Sequence, residues 1–167
     1  MLSFRPVIYL IIAFFSTGCG FQPIYGSFAN KTINSQLGTI KIASIESRVG
    51  HKLQNLLLDR INPRGRSLNP TYILSVKIEI NESEIGLRIN EETTRARLSL
   101  YAKFVLTERK SGIALMEGTI RSVNSYNIPP SGFGMVAAKD NATDRATREI
   151  SDEIKTRLSL FFANKVE

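Results

Sequence analysis

The 167-residue sequence holds one cysteine, one histidine and no tryptophan. A single thiol closes no internal disulfide, so the cysteine count leaves the redox compartment open. One histidine and one cysteine are too few for the ligand sets that metal sites use. Glycine-rich phosphate loops and a G-x-S-x-G element are also missing. His51 sits inside an amphipathic pattern and reads as a surface or partly buried residue. Glu82, Glu84, Glu91 and Glu92 lie close in sequence and read as a loop between strands. No residue set for catalysis stands out, and neither a metal nor a cofactor is expected. No apolar run approaches the roughly 20 residues that a membrane-spanning helix needs.

Hydrophobic residues make up 43% of the chain and charged residues 22%, which fits one globular domain with a real core. The formal net charge is +7. Such a balance favours anionic partners: nucleic acid, anionic lipid or phosphorylated glycolipid.

The N-terminus narrows that choice. Arg5 and the terminal amine precede the apolar stretch PVIYLIIAFF at 6–15, and the small residues Ser16, Thr17 and Gly18 follow. This is the layout of a secretory signal. Cys19 comes next, and Thr17-Gly18-Cys19 resembles a bacterial lipobox, with Ser16 where leucine is usual. In such signals the thiol takes diacylglycerol, the chain is cut before the cysteine, and the new amine is acylated. Each buried methylene contributes about 0.8 kcal/mol, so two or three chains hold a protein to a membrane durably. Gly20 in place of aspartate points to the outer membrane. That compartment argues against nucleic acid as a partner.

The expected organisation is a signal peptide over 1–18, a lipidated N-terminus and tether over 19–38, and one domain over 39–167. Residues 27–38 are polar and lack periodicity. Ile40 and Ile42 share a face of a short strand. Ser47 is a candidate cap for a helix in which Val49, Leu53, Leu56, Leu57 and Ile61 recur at helical spacing, ended by Asn62-Pro63-Arg64-Gly65. Tyr72, Leu74, Val76, Ile78 and Ile80 alternate along a second strand. Ala96, Leu98, Leu100, Ala102, Phe104 and Leu106 do so along a third, and the turn Glu108–Gly112 leads to a fourth over 113–126, with Gly118 as a candidate bulge. From about Gly134 to Phe162, Ala142, Ala146, Ile150, Ile154, Leu158 and Phe162 step by four along a helix. Asp144 with Arg148, Arg145 with Glu149 and Glu153 with Arg157 are candidate pairs on its wet side. The fold class expected is α+β, a two-layer sandwich: two amphipathic helices packed on one face of a mostly antiparallel sheet of about four strands. The other face carries Lys77, Arg95, Arg97, Tyr101, Lys103 and Arg121.

Gly18-Cys19-Gly20-Phe21-Gln22-Pro23-Ile24-Tyr25-Gly26, the element order, and Ala138-Lys139-Asp140-Asn141 at the start of the last helix together resemble the lipopolysaccharide-assembly lipoprotein family LptE, in its alphaproteobacterial form. The resemblance implies a non-enzymatic lipoprotein of the outer membrane, on its periplasmic side. It implies a plug within the LptD β-barrel that assists assembly of that barrel and movement of lipopolysaccharide to the outer leaflet. It implies Lys139 and Arg88 as lipopolysaccharide-binding candidates, to which Arg95 and Arg97 add; these arginines and Lys103 could instead meet acidic residues of the barrel lumen. Another outer-membrane lipoprotein adaptor, associated with barrel assembly or peptidoglycan, is the alternative, and a periplasmic enzyme a weaker third.

Replacing Cys19 with serine is expected to abolish the anchor. The wild-type chain should enter the detergent phase on Triton X-114 partitioning and carry the added mass of its acyl groups. Cys19→Ser should stay aqueous at its unmodified mass; a lipidated Cys19→Ser chain would refute the assignment.

Overall fold

Apolar residues at every second position of three long strands leave a sheet with one face to be covered, and helices supply the cover. The structure, a computed structural model, describes residues 33–63, 65, 67–85 and 95–166. The expected signal peptide, Cys19, most of the expected tether and Arg88 lie outside the described residues. The elements run β1 (Ile40–Ile42), α1 (Arg48–Ile61), β2 (Tyr72–Glu84), β3 (Arg95–Glu108), β4 (Ala114–Asn127) and α2 (Gly132–Val166). The sheet order is β1-β2-β3-β4. Strand β1 lies parallel to β2 through the α1 crossover, and the other pairs are antiparallel. The α+β sandwich expected from the pattern is the fold observed.

Burial follows the alternation. On β3 every even-numbered residue from Ala96 to Leu106 is at most 2% exposed, and on α2 the row Ala142, Ala146, Ile150, Ile154, Leu158 and Phe162 is at most 1% exposed. These rows and Leu53, Leu57 and Ile61 of α1 belong to one core cluster. Ser47 caps α1, its hydroxyl accepting from the Gly50 amide at 3.1 Å. Past the end of α1, the Asn62 side-chain amide donates to the Gly38 and Ile40 carbonyls at 3.1 and 3.3 Å, tying that end to β1.

The two helices run in the same direction and are laced by charge. Arg48 meets Asp140, Lys52 meets Asp144 and Arg60 meets Asp152, the same sequence offset at each rung. Pairs this exposed contribute about 0–1 kcal/mol each, so they set the register of α1 along α2 more than they stabilise it.

Several details differ from the sequence reading. Residues 33–37 are helical, and Ile33 and Leu37 are buried: the polar stretch 27–38 hides two apolar anchors one helical turn apart. Of the three candidate pairs on α2, Glu153 with Arg157 forms, at 2.7 Å. Asp144 turns to Lys52 instead, Arg145 donates to the Asn124 side chain, and Glu149 accepts from Ser122 and Asn124. Neighbouring elements outcompete the wet face of the helix. The bulge is not at Gly118 but at Leu115, because Leu106 faces Met116 while Thr107 faces Ala114. Gly118 has another reason. It stands opposite Phe104, and a Cβ there would lie 2.9 Å from the Phe104 ring, which is fully buried and has little room to retreat. Ile80 continues the apolar row of β2 yet is 38% exposed, since β2 outruns the helical cover.

Gly118→Ala should therefore destabilise the domain by about 1–3 kcal/mol through overpacking against Phe104. Urea unfolding of the domain measures this, and an unchanged midpoint would refute it.

Candidate functional site

Two places collect polar groups beyond what folding requires. The first is where the start of α2 crosses the far end of the sheet. Glu82 continues the inward-facing alternation of β2, and Tyr126 occupies the inner face of β4. Lys139 enters from the second turn of α2. Its ammonium donates to Oε2 of Glu82 at 2.5 Å, while the Tyr126 hydroxyl donates to Oε1. Each carboxylate oxygen thus has its own donor. Tyr126 is buried; the Lys139 side chain is 49% exposed, so the ammonium still faces water. Just ahead on α2 the large apolar side chains Phe133, Met135 and Val136 are exposed.

The electrostatics follow from this triad. Partial desolvation pushes the Glu82 carboxyl up, but the hydrogen bonds from Lys139 and Tyr126, with the ammonium charge, outweigh it and hold the group below its ordinary value. Burial pushes the Tyr126 phenol up, and the hydrogen bond to anionic Glu82 and its charge push it further, to about 12.

The second place is the open face of the sheet. Lys41, Lys77, Arg95, Arg97, Lys103 and Arg121 are all exposed there. Lys77 and Lys103 are direct cross-strand partners. Arg121 lies opposite Tyr101, with its guanidinium carbon 5.3 Å from the ring centroid.

Of the residues singled out in the sequence, Lys139, Arg95 and Arg97 lie at the same end of the sheet but on opposite sides. Buried Ala96, facing Tyr126, stands between the two arginines. The structure does not bring Lys139 together with them in one pocket. Glu82 and Tyr126 are not singled out by the sequence: Glu82 sits in a run of carboxylates that reads as a loop, although its place in the even-numbered row of β2 puts it on the helical side.

This sheet, with two helices on one face, is a fold found in bacterial lipoproteins of solved structure. A putative lipoprotein from Caulobacter crescentus CB15 matches with a TM-score of 0.64 at 22% identity, over 80% of this chain and 96% of that one. The rare lipoprotein B from Shewanella oneidensis matches at 0.60 and 13%, over 76% and 100%. A minor lipoprotein from Acinetobacter baumannii matches at 0.59 and 14%, over 72% and 90%. No curated protein matches the sequence. The family model LptE, lipopolysaccharide-assembly, matches residues 37–158, from the end of the first helical turn to the last third of α2. The chain belongs to that family.

The raised Tyr126 value has a checkable sign. A folded-state pKa above the unfolded value of about 10 contributes stability below pH 10, which is lost as pH rises toward 12. Absorbance titration at 295 nm should show one phenol ionising near 12 that disappears in Tyr126→Phe. In Glu82→Gln it should move back toward 10. A Tyr126 midpoint that ignores Glu82→Gln would refute the coupling.

Proposed function

We propose that this chain is a lipid-anchored component of the outer membrane that complexes with an LptD-type β-barrel as a plug. It assists assembly of that barrel and insertion of lipopolysaccharide into the outer leaflet. The observation that carries this reading is the family match over 37–158, which takes in every strand and α1 whole. The anchor is Cys19, with residues 1–18 as the signal; of the expected tether 19–38, the stretch from Ile33 on already packs into the domain core.

Lipopolysaccharide presents phosphates beside acyl chains. Lys139 beside exposed Phe133, Met135 and Val136 suits both parts of such a ligand. Arg95 and Arg97 at the start of β3 supply further cations at that end, and Arg88, between β2 and β3 in the sequence, is a further candidate. A half-exposed ammonium already held by Glu82 gives a phosphate a pre-oriented donor, since its rotamer is set before the ligand arrives.

Affinity isolation from detergent-solubilised outer membranes should bring down one large β-barrel, and depletion should block surface lipopolysaccharide while leaving other barrels largely intact. Recovery of peptidoglycan or another assembly complex in place of the barrel would overturn the reading. Lys139→Gln removes the charge without setting a second carboxylate against Glu82. It should weaken lipopolysaccharide retention in a filter assay about tenfold, the loss of one charge-assisted hydrogen bond. Unchanged retention would remove Lys139 from the site.

A further inference from the structure

The charges of the two layers are treated differently. Five ion pairs are formed among the described residues, and all lie in the helical layer or on the inner face of the sheet. None involves the open face, where six cations stand against the two carboxylates Glu79 and Glu117. At its centre Lys77 faces Lys103 across the ladder, with no carboxylate between them. Like charges directly opposite destabilise a sheet. An isolated domain gains nothing from that arrangement; a surface that meets an acidic partner does.

The shape selects the class of partner. These cations are spread across successive strands of a flat ladder and do not converge on a pocket, as donors to a single phosphate would. They alternate with groups suited to protein contact: Tyr101 under the Arg121 guanidinium, half-buried Val105, and Val123 at 45% exposure. Arginine and tyrosine with scattered apolar side chains are the composition of protein interfaces. Three strands of this length present a face of about 45 by 14 Å, roughly 650 Å², close to the roughly 800 Å² per partner of a stable complex.

We infer that the open face of the sheet, centred on Lys77, Lys103 and Arg121, docks an acidic protein surface. On the reading above, on which this inference rests, that surface belongs to the barrel. The centre of that face, Lys77, Lys103 and Arg121, lies on the side of the sheet away from Lys139, so docking there leaves Lys139 free for lipopolysaccharide.

The test uses the full chain in outer membranes. Lys77→Glu, Lys103→Glu and Arg121→Glu are combined, which reverses the sign of the charge at the centre of the face. A control combines Lys110→Glu, Arg148→Glu and Lys155→Glu, the same charge change away from that face. The open-face variant should recover at least tenfold less barrel than wild type, and the control should stay within twofold. Wild-type recovery should fall as salt rises. The milder pair Lys77→Gln and Lys103→Gln should lose recovery several-fold, which covers the case in which the triple variant misfolds. Full recovery by the open-face variants, with wild type also recovering barrel, overturns the inference and leaves the reading of function standing. Failure of the wild-type chain to recover any barrel overturns both. Retained barrel with lost lipopolysaccharide binding assigns the face to phosphate and overturns it as well.

Discussion

Under α2, six side chains from Ala142 to Phe162 recur every four residues and are all but removed from water. They meet an inner sheet face whose β3 row, Ala96 to Leu106, is equally dry. Each large apolar side chain buried in such a seam contributes about 1.5–3 kcal/mol, so this contact outweighs any polar interaction in the domain. Other features follow from where it sets α2. Asp140, Asp144 and Asp152 face α1 and receive its Arg48, Lys52 and Arg60. The Phe104 ring lies against Gly118, so a side chain there would collide with it. Lys139 arrives over Glu82 at the far end of the sheet.

One consequence is a division of charge between the layers. Helices packed side by side bring their flanks close enough to pair cations with carboxylates. The open face of a sheet has no second layer, and cross-strand neighbours there are fixed by register. That register sets Lys77 against Lys103 and Arg121 against Tyr101. A face whose cations form no ion pair among the described residues is costly to an isolated domain and suited to a complementary surface.

The far end of the sheet shows the opposite arrangement, a small polar group closed on itself. Glu82 satisfies both Lys139 and Tyr126 where the helical cover runs out and the apolar row of β2 ends at half-exposed Ile80. The shared fold tolerates wide divergence, since the solved relatives are only 13–22% identical. At that distance the likeness shows the fold alone, so a site on it has to be argued from this chain's own side chains.

The elements were legible because burial imposes a period, two on a strand and close to four on a helix, and both periods are written in β2, β3 and α2. Lys139 was legible through the short motif Ala138–Asn141. What pairs with it was not, because Glu82 lies 57 residues away and meets it only across the sheet. The same holds for Asp144, whose opposite charge one helical turn on is Arg148 but whose partner is Lys52, and for Gly118, whose small size answers to Phe104 across the ladder. The sequence by itself determined which faces are apolar, and hence the fold class, because hydrophobic burial depends on a residue's own chemistry and its position in a local period. The tertiary structure alone decided which charges are paired and which are left open, because ion pairs and hydrogen bonds act over a few ångströms between residues that only packing brings together.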